Sequence, residues 1–227
     1  MSLYTIILLA SISIPFLLSF DKKLQFYKQW KYLLPSIIAI ALFYIVNDIY
    51  FTKLGVWGFN REYLSSIFLF KLPIEEWLFF IAIPYASIFL HDVLHVYFPN
   101  FKLPRSISRR LSIIFFVIAL LVLVLNLGKS YTVYIMIVFL IVLVISYFDK
   151  SDTISRFYCT FLVILIPFVL VNGALTGAFT AEPVVWYDHT ENLNLRFITI
   201  PIEDFVYGFT MLLTAIMLRN RLKKVEG

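Results

Sequence analysis

Cysteine is nearly missing. Cys159 is the one thiol among 227 residues, so no internal disulfide can form and a disulfide-stapled scaffold is excluded. Glycine and proline are scarce too, at 7 and 9 residues, which excludes collagen-like and low-complexity chains. The glycines lie at Gly55, Gly58, Gly128, Gly173, Gly177, Gly208 and Gly227, and build neither a phosphate-binding loop nor a dinucleotide fingerprint. Aspartate-rich stretches suited to a magnesium diphosphate are also lacking. Only 15% of the residues are charged, against about 25% in soluble domains. Apolar residues fill the space: the chain is 61% hydrophobic and 19% aromatic, with a mean hydropathy of +0.90. A soluble globular enzyme is therefore excluded, and the lipid bilayer is the expected solvent. The net charge of +5 is then expected from the cationic cytoplasmic loops of a membrane protein, not from a nucleic-acid surface.

A helix crossing the hydrocarbon core needs about 20 mostly apolar residues. Seven runs qualify: Leu3–Phe20, Tyr32–Tyr50, Pro73–Leu94, Leu111–Leu127, Tyr131–Phe148, Phe157–Leu175 and Pro201–Leu218. No basic residue precedes the first run and no small-x-small site follows it, so it is expected to span rather than to be cleaved. Seven spans put Lys22–Lys31, Lys102–Arg110, Lys150, Arg156 and the tail Arg219–Lys224 on one side, which makes 14 of the 19 basic residues. Lys53, Arg61, Lys71, Lys129 and Arg196 fall on the other. This asymmetry predicts a cytoplasmic C-terminus and an external N-terminus in the cell membrane.

The chain also repeats itself. Leu72-Pro73-Ile74-Glu75-Glu76-Trp77 recurs 128 residues later as Ile200-Pro201-Ile202-Glu203-Asp204-Phe205, and the same offset carries Leu3–Phe20 onto Tyr131–Phe148. Trp57 stands 16 residues before Pro73 and Trp186 stands 15 before Pro201, while Asn47 and Asn172 close the preceding spans. The expected organisation is an all-α integral membrane protein of two parallel three-helix repeats, residues 1–100 and 131–227, with one linking helix in 101–130. The linking helix restores the orientation of the second triplet, so both Pro-Ile-Glu-acid motifs begin at one membrane face.

Alone, each motif is an ordinary helix start: proline loses nothing at the first position and carboxylates suit the positive end of the helix dipole. Its doubling, and the apolar flanks Ile67–Phe70 and Phe197-Ile198, change the balance, because acids near hydrocarbon are costly and usually functional. Adjacent helical residues point about 100° apart, so one acid of each pair is expected to face a pocket and its neighbour to support it. A carboxyl serving as general acid needs desolvation and a nearby like charge to outweigh the helix dipole.

On the same face, Asn47, Asn172, Glu191 and Arg196 are further candidates for contact with a substrate. Asp48, Asn60, Arg61, Glu62, Thr176, Glu182, Asp188, His189 and Asn192 are expected to be solvated loop residues. Across the membrane, His91 and His95 have a spacing that can hold a metal, but no third ligand group is evident, so an interfacial helix cap is expected instead. No metal and no cofactor is expected.

Acids in an apolar, aromatic setting suit proton-initiated chemistry on a hydrocarbon. A carboxylic acid protonates a double bond, a carbocation forms, and a base removes a different proton. Aromatic faces stabilise cations, and Trp57, Trp77, Trp186, Tyr187 and Tyr207 are placed to do so; Tyr207 stands at i+4 from Glu203.

The paired motifs, together with Val184-Val185-Trp186-Tyr187 and the stretch Arg196–Phe209, resemble the membrane-integral lycopene cyclases of the bacterial heterodimeric and the archaeal or fungal fused type. The resemblance covers nearly the whole chain, which looks like the fused form. It implies an isomerase (an intramolecular lyase) that closes the ends of lycopene, or of a related linear carotenoid, into ionone rings without redox change, giving β-carotene by way of γ-carotene if the rings are β. It further implies that Glu75, Glu76, Glu203 and Asp204 are the essential acids, and leaves open which is acid and which is base. The partners expected are the carotenoid and the bilayer, with self-association or other carotenoid-pathway enzymes beside them. A transporter with the same repeats competes with this expectation, although 131–148 holds no ionisable group and 111–127 only Ser112 and Asn126 as polar residues. A pathway scaffold is the third alternative, and would leave the carboxylates as mere helix starts.

Overall fold

A computed structural model describes residues 1–149 and 151–226, so Lys150, counted above with the cytoplasmic cations, lies outside the described residues. Seven long helices carry the fold: α1 (Leu3–Leu18), α2 (Trp30–Leu54), α3 (Ile74–Tyr97), α4 (Arg105–Leu125), α5 (Ser130–Phe148), α6 (Thr153–Leu175) and α7 (Ile202–Glu226). Each apolar run forms one of them. Five, α2 to α6, are long and apolar enough to cross a membrane, while α1 is apolar but only 16 residues long. The first turn of α7 holds Glu203 and Asp204, and Arg219 lies farther along it.

The boundaries follow local chemistry. Gly55 ends α2 in the left-handed region at φ 77°, where its backbone N–H reaches the carbonyls of Phe51 and Thr52. Pro104 precedes α4, which starts six residues before the apolar run and carries Arg105, Arg109 and Arg110 on its first turns. On α4 only Ser108, Ser112 and Ala119 are buried, and Ile113, Ile114, Val117, Leu121 and Val124 face outward. An outward apolar face of that kind is a lipid-facing surface.

Among the described residues, six short strands accompany the helices. β1 (Trp57–Phe59) pairs antiparallel with β4 (Val185–Tyr187), which joins the two halves of the chain. β2 (Phe68–Leu69) pairs with β3 (Leu72–Pro73), and β5 (Arg196–Phe197) with β6 (Ile200–Pro201). These two hairpins stand directly before α3 and α7, with Phe68 opposite Pro73 and Arg196 opposite Pro201. Their turns pass through left-handed backbone at Phe70, Lys71 and Ile198, a conformation that costs a non-glycine residue about 1–2 kcal/mol. The reward is placement, since each hairpin aims a helix start and its two acids inward.

Within the halves, α1 packs on α3 and α5 on α7; between them, α2 packs on α7 and α3 on α6. α4 lies outside, against α5 and α6. The starts of α1, α3, α5 and α7 therefore gather near the β1–β4 ribbon.

Candidate active site

A cavity of about 570 Å3 lies among α1, α3, α6 and α7. Its walls are mainly apolar, with Ile7, Ile14 and Pro15 from α1, Phe79, Phe80 and Ile83 from α3, Pro167, Leu170 and Val171 from α6, and Met211 and Leu212 from α7. Ile14 and Leu170, which both line it, are also exposed on the outer surface of the bundle. Its carboxyl and phenol groups collect at the ribbon end, where Asp48, Glu76, Asp204, Tyr4, Tyr131, Tyr187 and Tyr207 meet.

The carboxyls there are held by aromatic donors. Tyr4 donates its hydroxyl to Glu76 Oε2 at 2.6 Å. Tyr131 and Tyr187 donate to the two oxygens of Asp204, at 2.6 and 3.0 Å. Trp57 donates its indole N–H to Asp48 Oδ1, and Thr52 donates to the same oxygen at 3.5 Å. Burial, and then the Asp204 carboxyl, push the Tyr187 hydroxyl well above its ordinary pKa, so it remains a donor at neutral pH. Tyr131 stacks on Tyr187 at 6.0 Å and meets Trp57 edge-on at 5.0 Å, so three rings frame this end.

Glu75 and Glu203 do not line the cavity. Both are fully buried, and one oxygen of each gathers donors from its own half of the chain. Glu75 Oε1 accepts from Ser2 at 2.6 Å, from Thr5 at 3.3 Å and from the Ser65 N–H at 2.6 Å. Glu203 Oε1 accepts from Thr132 at 2.7 Å and from the Leu193 N–H at 2.7 Å. The second oxygen of each has no partner. All of the first set but Ser2 have counterparts 127 or 128 residues on: Tyr4 with Tyr131, Thr5 with Thr132, Ser65 with Leu193, Glu75 with Glu203, Glu76 with Asp204. Neighbouring helical positions diverge by about 100°, so one acid of each pair meets the cavity and the other ties the hairpin to the first helix of its half, α1 or α5.

The other residues singled out from the sequence divide. Trp57, Asn172, Tyr187 and Tyr207 line the cavity. Tyr207 shares it with Asp204, three residues earlier, and not with Glu203, its i+4 neighbour, which faces away. Five lie elsewhere. Asn47 donates to the Phe43 carbonyl of its own helix at 2.7 Å. Trp77 packs beside Phe70, ring centroids 6.3 Å apart. Trp186 is 44% exposed, with its ring against the Cα of Gly58. Glu191 accepts the Ser130 N–H at 2.9 Å and so caps the start of α5. Arg196 donates to the Thr199 carbonyl at 2.5 Å, and its guanidinium lies 5.8 Å from the Tyr187 ring centre.

Asp48 was expected to be a solvated loop residue, and the structure corrects that: it belongs to α2, is 3% exposed and lines the cavity. Tyr4 and Tyr131 escaped notice as well. Their signal was present in the 127-residue spacing, which matches that of the motifs to within one residue. His91 and His95 lie at the opposite end, where His91 is 2.7 Å from the Thr160 hydroxyl and Asp92 receives both terminal nitrogens of Arg219. Among the described residues no three groups come together to hold a metal ion.

In comparison with known families, the lycopene cyclase family matches residues 1–94 and 128–222, the two segments that flank α4. No curated protein and no solved structure matches the chain.

Proposed function

The chain belongs to the lycopene cyclase family and is a membrane protein of carotenoid biosynthesis, and on that premise we propose that it closes both linear ends of lycopene into β-ionone rings, by way of γ-carotene. The observation that carries this is the juxtaposition of carboxyls and an apolar cavity: Glu76, Asp204 and their tyrosine donors stand where a hydrocarbon chain end entering between α1 and α6 would stop.

The chemistry is an isomerisation. A carboxylic acid protonates the terminal double bond of the substrate, leaving a tertiary cation. A second double bond of the same end attacks that carbon and closes a six-membered ring, moving the positive charge to a ring carbon. A carboxylate then takes a ring proton and restores a double bond. The proton gained equals the proton lost, so no electrons are exchanged. The rings of Trp57, Tyr131, Tyr187 and Tyr207 face the cavity and stabilise the cation through their π faces, while the apolar walls keep water from capturing it.

Glu75, Glu76, Glu203 and Asp204 all serve this reaction in the proposal: Glu76 and Asp204 at the cavity, and Glu75 and Glu203 by fixing the hairpins that aim them. Asn172 contacts the substrate from α6. Asn47, Trp77, Trp186, Glu191 and Arg196 support the site from outside its wall. Seven spans in two parallel triplets, 1–100 and 131–227, with a linking helix in 101–130, complete the proposal; the matched hydrogen-bond sets and the two matched family segments support it. The 14-to-5 distribution of basic residues supports an external N-terminus and a cytoplasmic C-terminus, which reporter fusions to the two ends test.

The activity is tested by expressing the chain in cells that accumulate lycopene and separating the pigments. The expected result is monocyclic and then bicyclic carotene of unchanged elemental composition. Glu76→Gln and Asp204→Asn are expected to leave lycopene in place. Lycopene that persists beside abundant, folded wild-type protein refutes the proposal.

A further inference from the structure

Three carboxyls, not two, face the cavity, and their oxygens are not equally engaged. Both Asp204 oxygens accept tyrosine hydroxyls. One Glu76 oxygen accepts Tyr4. Of these three carboxyls Asp48 is the one with a buried oxygen that has no partner: Trp57 and Thr52 both donate to Oδ1, and Oδ2 has none. A hydrogen bond to a carboxyl oxygen favours the charged form and so opposes a proton on that oxygen. An oxygen with no donor, in an apolar cavity, is where a proton costs least. Asp48 is also the acid that the repeat does not duplicate. The offset relating Asn47 to Asn172 sets Gly173 opposite it, so it gives one half of the site a group the other half lacks.

We propose that Asp48 is a catalytic residue of the cyclisation, the proton donor that starts ring closure, with Glu76 as the carboxylate that removes the ring proton. This rests on the cyclase proposal above. The Asp48 Oδ2–H bond breaks as the new C–H bond forms on the terminal alkene carbon. After ring closure, a lone pair of Glu76 takes the ring proton, and the C–H electrons become the new double bond. Transfer of that proton from Glu76 to Asp48, which lines the same cavity, resets the pair with no co-reactant. Asp204, with both oxygens bonded, remains beside the cation without exchanging a proton. The other titratable groups around Asp48 are the hydroxyls of Tyr4 on α1, Tyr134 on α5, Tyr187 on β4 and Tyr207 on α7. Among the described residues, the carboxyls that share the cavity with it are Glu76 and Asp204.

The test uses the full chain in vesicles loaded with lycopene, with conversion followed against pH. Wild-type conversion is established first, because its absence overturns the cyclase proposal rather than this one. Asp48→Asn keeps the shape and an acceptor for Trp57 but removes the proton, and conversion is expected to fall roughly 100-fold or more at unchanged membrane abundance. Asp48→Glu restores a carboxyl and is expected to recover part of the conversion with a displaced pH profile. Conversion by Asp48→Asn within a few-fold of wild type overturns the proposal, and so does an Asp48→Glu profile that superimposes on wild type. Should Asp48→Asn fail to accumulate, Trp57→Phe decides: it keeps the carboxyl and removes its N–H donor. A displaced profile then supports the proposal and an unmoved one overturns it.

Discussion

Replacing Glu203 by glutamine and by alanine separates what that residue does as an acceptor from what it does as an acid. Its Oε1 receives both the Thr132 hydroxyl and the Leu193 N–H, while Oε2 is buried without a partner. Alanine strands two buried donors, each worth about 1–3 kcal/mol, for a loss of roughly 2–6 kcal/mol. At about 2–4 °C per kcal/mol for a chain of this size, that lowers Tm by roughly 4–24 °C. Glutamine keeps an oxygen at the Oε1 position. Its two bonds weaken from charge-assisted to neutral strength, a loss of about 1 kcal/mol each, and relief of a buried carboxylate offsets much of that loss. The expected net change for Glu203→Gln is within about 1 kcal/mol. Thermal unfolding of the detergent-solubilised protein, followed by size-exclusion chromatography, reads these shifts, and pigment analysis of the same variants reads conversion. Glu203→Gln is expected to retain Tm and much of its conversion, and Glu203→Ala to lose both. The positioning role is refuted if glutamine is as damaging to Tm as alanine, or if it abolishes conversion at normal Tm. Glu75, with Ser2, Thr5 and Ser65, is expected to behave in the same way.

Other perturbations test other links. Gly58→Ala would put a Cβ 2.3 Å from the Trp186 ring, so Trp186 must leave its place on the ribbon; a loss of about 1–3 kcal/mol should appear as a lower Tm and a blue- or red-shifted Trp emission. Arg219 is 3% exposed and makes two bonds to Asp92, linking α7 to α3. Arg219→Ala alone is expected to cost about 3–5 kcal/mol, with part of that recovered in the Arg219→Ala/Asp92→Ala double variant; no recovery would refute the pairing. Lys102 and Arg105 hold the Asp152 carboxyl below its ordinary value of 3.8. Their contribution is therefore present above that value and lost as pH falls below it. Asp152→Asn should lower Tm at pH 7 and flatten its decline under acid, while curves parallel to wild type would refute this.

The pattern of these sites shows how much could be read in advance. Helix positions followed from hydropathy alone, because removing backbone polar groups from water in lipid leaves a helix as the available solution for each apolar run. The edges were less legible: α4 extends back through Arg105 and Arg110, where charged residues continue a helix past the hydrocarbon. The motif acids were legible because they are doubled. Asp48 was not, for it has no counterpart in the second half and borders Asn47, which bonds its own helix. Trp77, Trp186 and Arg196 looked equivalent to Trp57 and Tyr187 by composition, but packing placed only the latter two on the cavity wall.

The sequence by itself determined the solvent, the helices, the repeat of 128 residues and the family, since each depends on local composition or on linear spacing. The tertiary structure decided which oxygen of which acid is engaged. That outcome depends on α2 crossing to α7, on α3 meeting α6, and on a ribbon joining residues 57–59 to 185–187. Glu75 and Glu76 are adjacent in sequence and similar in chemistry. A turn of about 100° along one helix places one among hydroxyls and backbone donors and the other at the end of the cavity.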